Sequence, residues 1–134
     1  MTFLLVDAAN VVGSRPDGWW RDRAGATTRL LSRLAALPGR ELPGPDGGTV
    51  VCTGSGAVVE GRARAASGPD GVEVFRAEGS GDDELVRVAE QLPGPVLVVT
   101  ADRGLRERLP AGTAVAGPGW LLARLDEIDC ARPA

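Results

Sequence analysis

Acidic residues stand at three places in this chain where chemistry would put them. Asp7 closes the apolar run "TFLLVDA", Asp82 and Asp83 open the segment "SGDDELV", and Asp102 follows the apolar run "PVLVVTAD". A buried strand ends on a carboxylate at a cost, because burial penalises the charged form. Several such acids on one sheet edge repel one another unless a cation neutralises them. A hard divalent ion, Mg²⁺ or Mn²⁺, takes oxygen ligands and leaves the rest of its shell to water. Each acid also has a plainer reading. Asp7 and Asp102 would cap the turns that follow them, and Asp83 would partner Ser80 in a capping box. Asp82 is freer to point away from its helix and is the ligand expected there.

What is missing narrows the chemistry. The chain has no His, no Lys and no Tyr, and its fifteen basic residues are all arginine. Without His there is no Ser–His or Cys–His nucleophile pair. Without Lys there is no P-loop lysine and no Schiff base. Acid–base work is left to Asp, Glu, Cys or water on a metal. Zinc is disfavoured by the lack of His and of paired Cys. Cys52 reads as a buried thiol, and Cys130 has no metal-type spacing to it. A net charge of −3 argues against coating nucleic acid by bulk charge and leaves room for a local basic patch.

The elements that must position these acids follow from pattern. With 134 residues, 43% apolar and 25% charged, the chain reads as one globular domain. Residues 1–128 form that domain in this reading, with 129–134 a frayed tail. No apolar run approaches the roughly 20 residues that span a bilayer, and no leader pattern opens the chain. The expectation is a cytoplasmic protein without membrane contact. Strands are expected at 2–8, 71–77, 95–102 and 113–117, and helices over 22–37, 80–92, 103–109 and 118–128. Residues 38–48, dense in Pro and Gly, read as loop. "TVVCT" (49–53) and "GAVVEG" (56–61) fit either two short strands or one with a glycine bulge. Apolar strands alternating with helices imply a mainly parallel sheet covered on both faces, with ligands at the carboxyl ends of its strands.

"LLVDAANVVG", "GSGDDELV" and "VLVVTADRGL" together resemble the PIN-like ribonucleases, in particular their NYN branch with its YacP-like members. The resemblance spans most of the chain. It implies a Rossmann-like three-layer α/β/α sandwich with strand order 3-2-1-4-5. It also implies metal-dependent hydrolysis of phosphodiesters, mostly in RNA, with Mg²⁺ or Mn²⁺ held by acids. The matching positions are Asp7 and Asn10, Asp82 with Leu85, and Thr100 with Asp102. Asp83 and Glu60 are further candidate ligands, Glu60 on condition that "AVVEG" ends the second strand. Asn10 would orient Asp7 or a water, and Thr100 would hydrogen-bond the scissile phosphate.

RNA is the partner this implies; a homodimer and an antitoxin-like partner stay open. Arg62, Arg64, Arg103 and the arginines beside the tryptophans (Arg15, Arg21, Arg23) are candidate phosphate contacts. Trp19 and Trp20 are candidates to stack on bases, while Trp120 reads as core. Two alternatives compete: a phosphohydrolase of free nucleotides, of the NTP pyrophosphohydrolase type, and a non-catalytic RNA- or protein-binding module that keeps the acids. Aspartyl-phosphate chemistry is weaker, because its familiar forms need a Lys.

Overall fold

The computed structural model describes residues 1–131. Its opening run is β1 (Thr2–Asp7). Leu4 and Val6 face one core and Leu5 the other, all three fully buried. That alternation is the pleat of a strand covered on both sides. β5 (Val96–Val99) repeats it, with Leu97 and Val99 on the first side and Val96 and Val98 on the second.

β3 (Thr49–Val59) settles the question over 49–61: it is one strand, ending just before Glu60. The glycines within it do not break it. Its register with β1 slips once, between Thr2↔Cys52 and Phe3↔Gly54. Gly54 and Gly56 make room for aromatic rings, since a Cβ on Gly56 would stand 2.9 Å from the Phe75 ring and 3.1 Å from that of Phe3.

β4 (Val72–Arg76) lies parallel to the second half of β3, and β6 (Ala114–Ala116) parallel to β5. The parallel strands therefore run β4-β3-β1-β5-β6, which is the implied order 3-2-1-4-5. The segment read as pure loop contributes β2 (Glu41–Pro43), paired antiparallel to the first half of β3. Its buried Leu42 is the residue that draws it in.

One face carries α1 (Ala8–Val12), α2 (Arg23–Leu34) and α5 (Pro118–Ala131); the other carries α3 (Gly81–Gln91) and α4 (Arg103–Arg108). α1 follows β1 directly, where no helix was expected. Five residues are too few to show a period, and packing of Ala8 and Val11 holds them. α5 runs past the expected boundary at 128 to Ala131, so 129–131 are helical rather than frayed; 132–134 lie outside the described residues. Trp120 packs partly buried against the core and donates its indole N–H to Pro43 O at 3.0 Å. Cys52 is buried, as read, and gives its thiol to Gly54 O.

Candidate active site at the carboxyl edge of the sheet

Because β1, β3, β4 and β5 are parallel, their carboxyl ends share one edge. The chain leaves β1 for β3 and β4 on one side and later returns to β5 on the other. The crevice between β1 and β5 is thus the switch point where α/β sheets bind ligands. Asp7 stands on one lip of it and Thr100 to Asp102 on the other.

Register sets the central contact. Val6 pairs with Val99, which brings the next residues, Asp7 and Thr100, side by side. Thr100 Oγ donates to Asp7 Oδ2 at 2.9 Å and accepts from Asp102 N at 3.2 Å. Asp7 also caps α1, its Oδ1 accepting from Asn10 N at 3.4 Å. Asn10 Oδ1 in turn accepts from Ala101 N at 2.8 Å, closing the loop between the two lips. Asn10 therefore steadies Asp7 through its backbone and the β5 end through its side chain.

The structure adds a role for Thr100 beside the expected one. The residue is fully buried and its hydroxyl donates to Asp7, so here it orients acids instead of facing the crevice. Asp102 caps α4, with Oδ1 accepting from Leu105 N at 3.1 Å and Oδ2 left over.

Ser80 caps α3 and accepts from Asp83 N, one half of the expected capping box; the Asp83 carboxylate turns to Arg108. Glu60, directly after β3, reaches the same helix start: Oε2 accepts from Gly81 N at 2.6 Å. A Cβ on Gly81 would stand 2.7 Å from that carboxyl, so a larger residue there would push the Glu60 side chain aside. Asp82, next in line, is half-buried beside Glu60 and Asp102.

The acids sense one another. Burial first of all pushes the Asp7 carboxyl above its ordinary range; the charges of Asp82 and Glu60 add to this, while Thr100 and Asn10 pull part of it back. Asp82 is raised by burial, then by Asp102 and Glu60, with Arg108 opposing. Among the described residues none of Asp7, Glu60, Asp82 and Asp102 has an arginine within ion-pair distance. Asp83 does not join them. Its exposed carboxylate pairs with Arg108 at 2.6 Å.

As the side chains stand, no three acids among the described residues are close enough to grip one ion together. Mg²⁺ commonly uses one or two carboxylates and keeps several waters, so the all-oxygen donor set still fits a hydrated hard ion. It does not fit zinc.

Around this edge Arg62 and Arg64 lie exposed on a 3₁₀ turn (Gly61–Ala65) directly after Glu60. Arg103 is exposed beside Asp102, and Arg21 on a 3₁₀ turn (Trp19–Arg21) ahead of α2. Trp19 is half-buried beneath the Arg23 guanidinium, 5.3 Å from its ring centre. Arg15 turns instead to Asp126. One contributor went unread in the sequence: Arg106, whose Nε and Nη2 both bond Thr100 O, at 3.2 and 2.7 Å. Nothing in "RGLRER" separates it from the other arginines.

The fold is an α/β/α sandwich like that of YacP. Among solved structures the chain is similar to Rae1 (YacP) from Bacillus subtilis, determined as a point mutant. The TM-score is 0.73 at 19% identity, over 97% of this chain and 78% of that one. No family model and no curated protein sequence matches the chain.

Proposed function

We propose that this chain is a Mg²⁺- or Mn²⁺-dependent ribonuclease that hydrolyses phosphodiester bonds within RNA. One observation carries the reading: Asp7, Glu60, Asp82 and Asp102 line the carboxyl edge of a YacP-like sheet, near enough for their charges to raise the Asp7 and Asp82 carboxyls, and among the described residues no arginine pairs with them. Uncompensated negative charge at such a crevice is what a divalent cation would relieve.

Asp82 and Asp102 would hold the ion, each with carboxylate oxygens free of protein partners, and Asp7 would complete the site. When bound, the ion supplies positive charge that acidifies a water and stabilises charge developing on the phosphate. The chain's own residues do the placing. Thr100 and Asn10 fix Asp7, Thr100 and Arg106 fix the end of β5, and Glu60 fixes the start of α3. Arg62, Arg64 and Arg103 stand ready to meet phosphates along the strand.

Incubation with Mn²⁺ and either single-stranded RNA or nucleoside triphosphates tests the substrate class. Shortened RNA with intact triphosphates is the expected result; pyrophosphate release from the nucleotides alone would refute it. The separation of the acids favours one competing reading, a binding module without catalysis. Titration with Mn²⁺ separates the two, since that module would bind no ion at millimolar concentration.

A further inference from the structure

A second feature of the same edge bears on which RNA is taken. Trp20 is 53% exposed; among the described residues only Met1 is also a large apolar side chain left in solvent. It is held firmly all the same. Its ring meets that of Trp19 at 86° with centres 5.9 Å apart, and Arg23 covers Trp19. Trp19 rests on the end of α1, where a Cβ on Gly13 would stand 3.8 Å from its ring. A perpendicular contact occupies at most one face of Trp20 and fixes its plane.

The turn lies at the carboxyl edge. Ser55 Oγ bonds Leu34 O at 3.1 Å, which sets the far end of α2 beside the middle of β3. Midway along, α2 touches the segment after β3, where Thr28 Oγ accepts from Ser67 N. α2 therefore runs against β3, and Trp20 just ahead of it sits at the end that carries Glu60. Its surroundings are charged: Arg21, Asp22 and Arg23 follow it, and Arg21 forms no ion pair among the described residues. A lone, preset aromatic face beside a free guanidinium suits a base and its phosphate. A protein-docking surface would show a contiguous apolar patch instead.

We infer that Trp20 is a stacking platform for an unpaired base and sets a preference for single-stranded over duplex RNA, with Arg21 meeting the adjoining phosphate. This rests on the ribonuclease reading above. A duplex hides its base faces and gains nothing from such a platform.

Binding measured in EDTA, where metal-dependent cleavage is off, tests it. The probes are a short uridine oligonucleotide, the same strand in a duplex, and phosphatidylserine vesicles. The native chain should prefer the single strand. Trp20→Ala should weaken that binding about 5- to 150-fold and leave the duplex unaffected, with Trp20→Phe recovering most of the loss and melting unchanged. Failure of the native chain to bind the single strand would overturn the inference. So would equal affinity of Trp20→Ala, an equal loss on the duplex, or a loss confined to vesicles. Binding through Trp20 without cleavage in Mn²⁺ would sink the ribonuclease reading alone. Cleavage in Mn²⁺ with unchanged KM in Trp20→Ala would sink the platform alone.

Discussion

The Thr100 hydroxyl lies 2.9 Å from Asp7 Oδ2 and 3.2 Å from Asp102 N, so one buried atom sets the positions of two acids from two strands. Thr100→Val keeps the shape and removes both bonds. It should cost about 1–3 kcal/mol in unfolding free energy and lower RNA cleavage about 10- to 100-fold. Thr100→Ser, which keeps the hydroxyl, should restore most of both in melting and cleavage assays. Equal activity of Val and Ser variants would contradict the positioning role.

Glu60 offers a similar contrast. If it serves mainly by accepting from Gly81 N, then Glu60→Gln should keep cleavage within about threefold, because an amide oxygen still accepts that bond. Glu60→Ala should lose about tenfold or more, the range for lost support of a metal site. A direct ligand would behave differently, with Gln as damaging as Ala. Gly81→Ala should fail as Glu60→Ala does, since its Cβ would run into the carboxyl.

Charge repulsion at the site should show in stability. The folded Asp82 carboxyl titrates above the unfolded value, so folding favours its protonated form. The native metal-free chain therefore loses stability as pH rises from the unfolded value near 3.8 through the raised folded value. Asp82→Asn should melt on the order of a degree or two higher at neutral pH without metal, an advantage that disappears toward pH 3. Thermal melts in EDTA across pH measure this; a lower neutral melting point for the variant would contradict it.

Asp83 should matter little. Its ion pair with Arg108 is exposed, and such pairs contribute about 0–1 kcal/mol. Asp83→Asn should retain cleavage within about threefold, where Asp82→Asn does not. A loss in Asp83→Asn matching that in Asp82→Asn would put Asp83 back among the ligands.

Much of this was legible in the sequence because buried parallel strands announce themselves. "FLLV" and "VLVV" carry no alternation to misread, and the carboxylate after each marks the edge where the acids gather. Short elements were not legible: α1 is held by Ala8 and Val11 packing and β2 by Leu42, contacts that no local pattern encodes. The division of labour among the acids was also hidden. Asp83 turns outward to Arg108, twenty-five residues away in sequence, while Asp82 is half-buried, a difference that no local pattern encodes. Likewise Glu60 could be assigned only once 49–59 proved to be one strand.

The central claim is that the acidic edge formed by Asp7, Asp82 and Asp102 takes up the cation on which RNA cleavage depends. Cleavage of a single-stranded RNA in Mn²⁺ by the native chain, Asp7→Asn, Asp82→Asn and Asp102→Asn, each verified as folded, tests it most directly. The account predicts cleavage by the native chain that EDTA abolishes, and a fall of about a hundredfold or more in every variant. Equal cleavage by all four proteins, or cleavage that persists in EDTA, would contradict it.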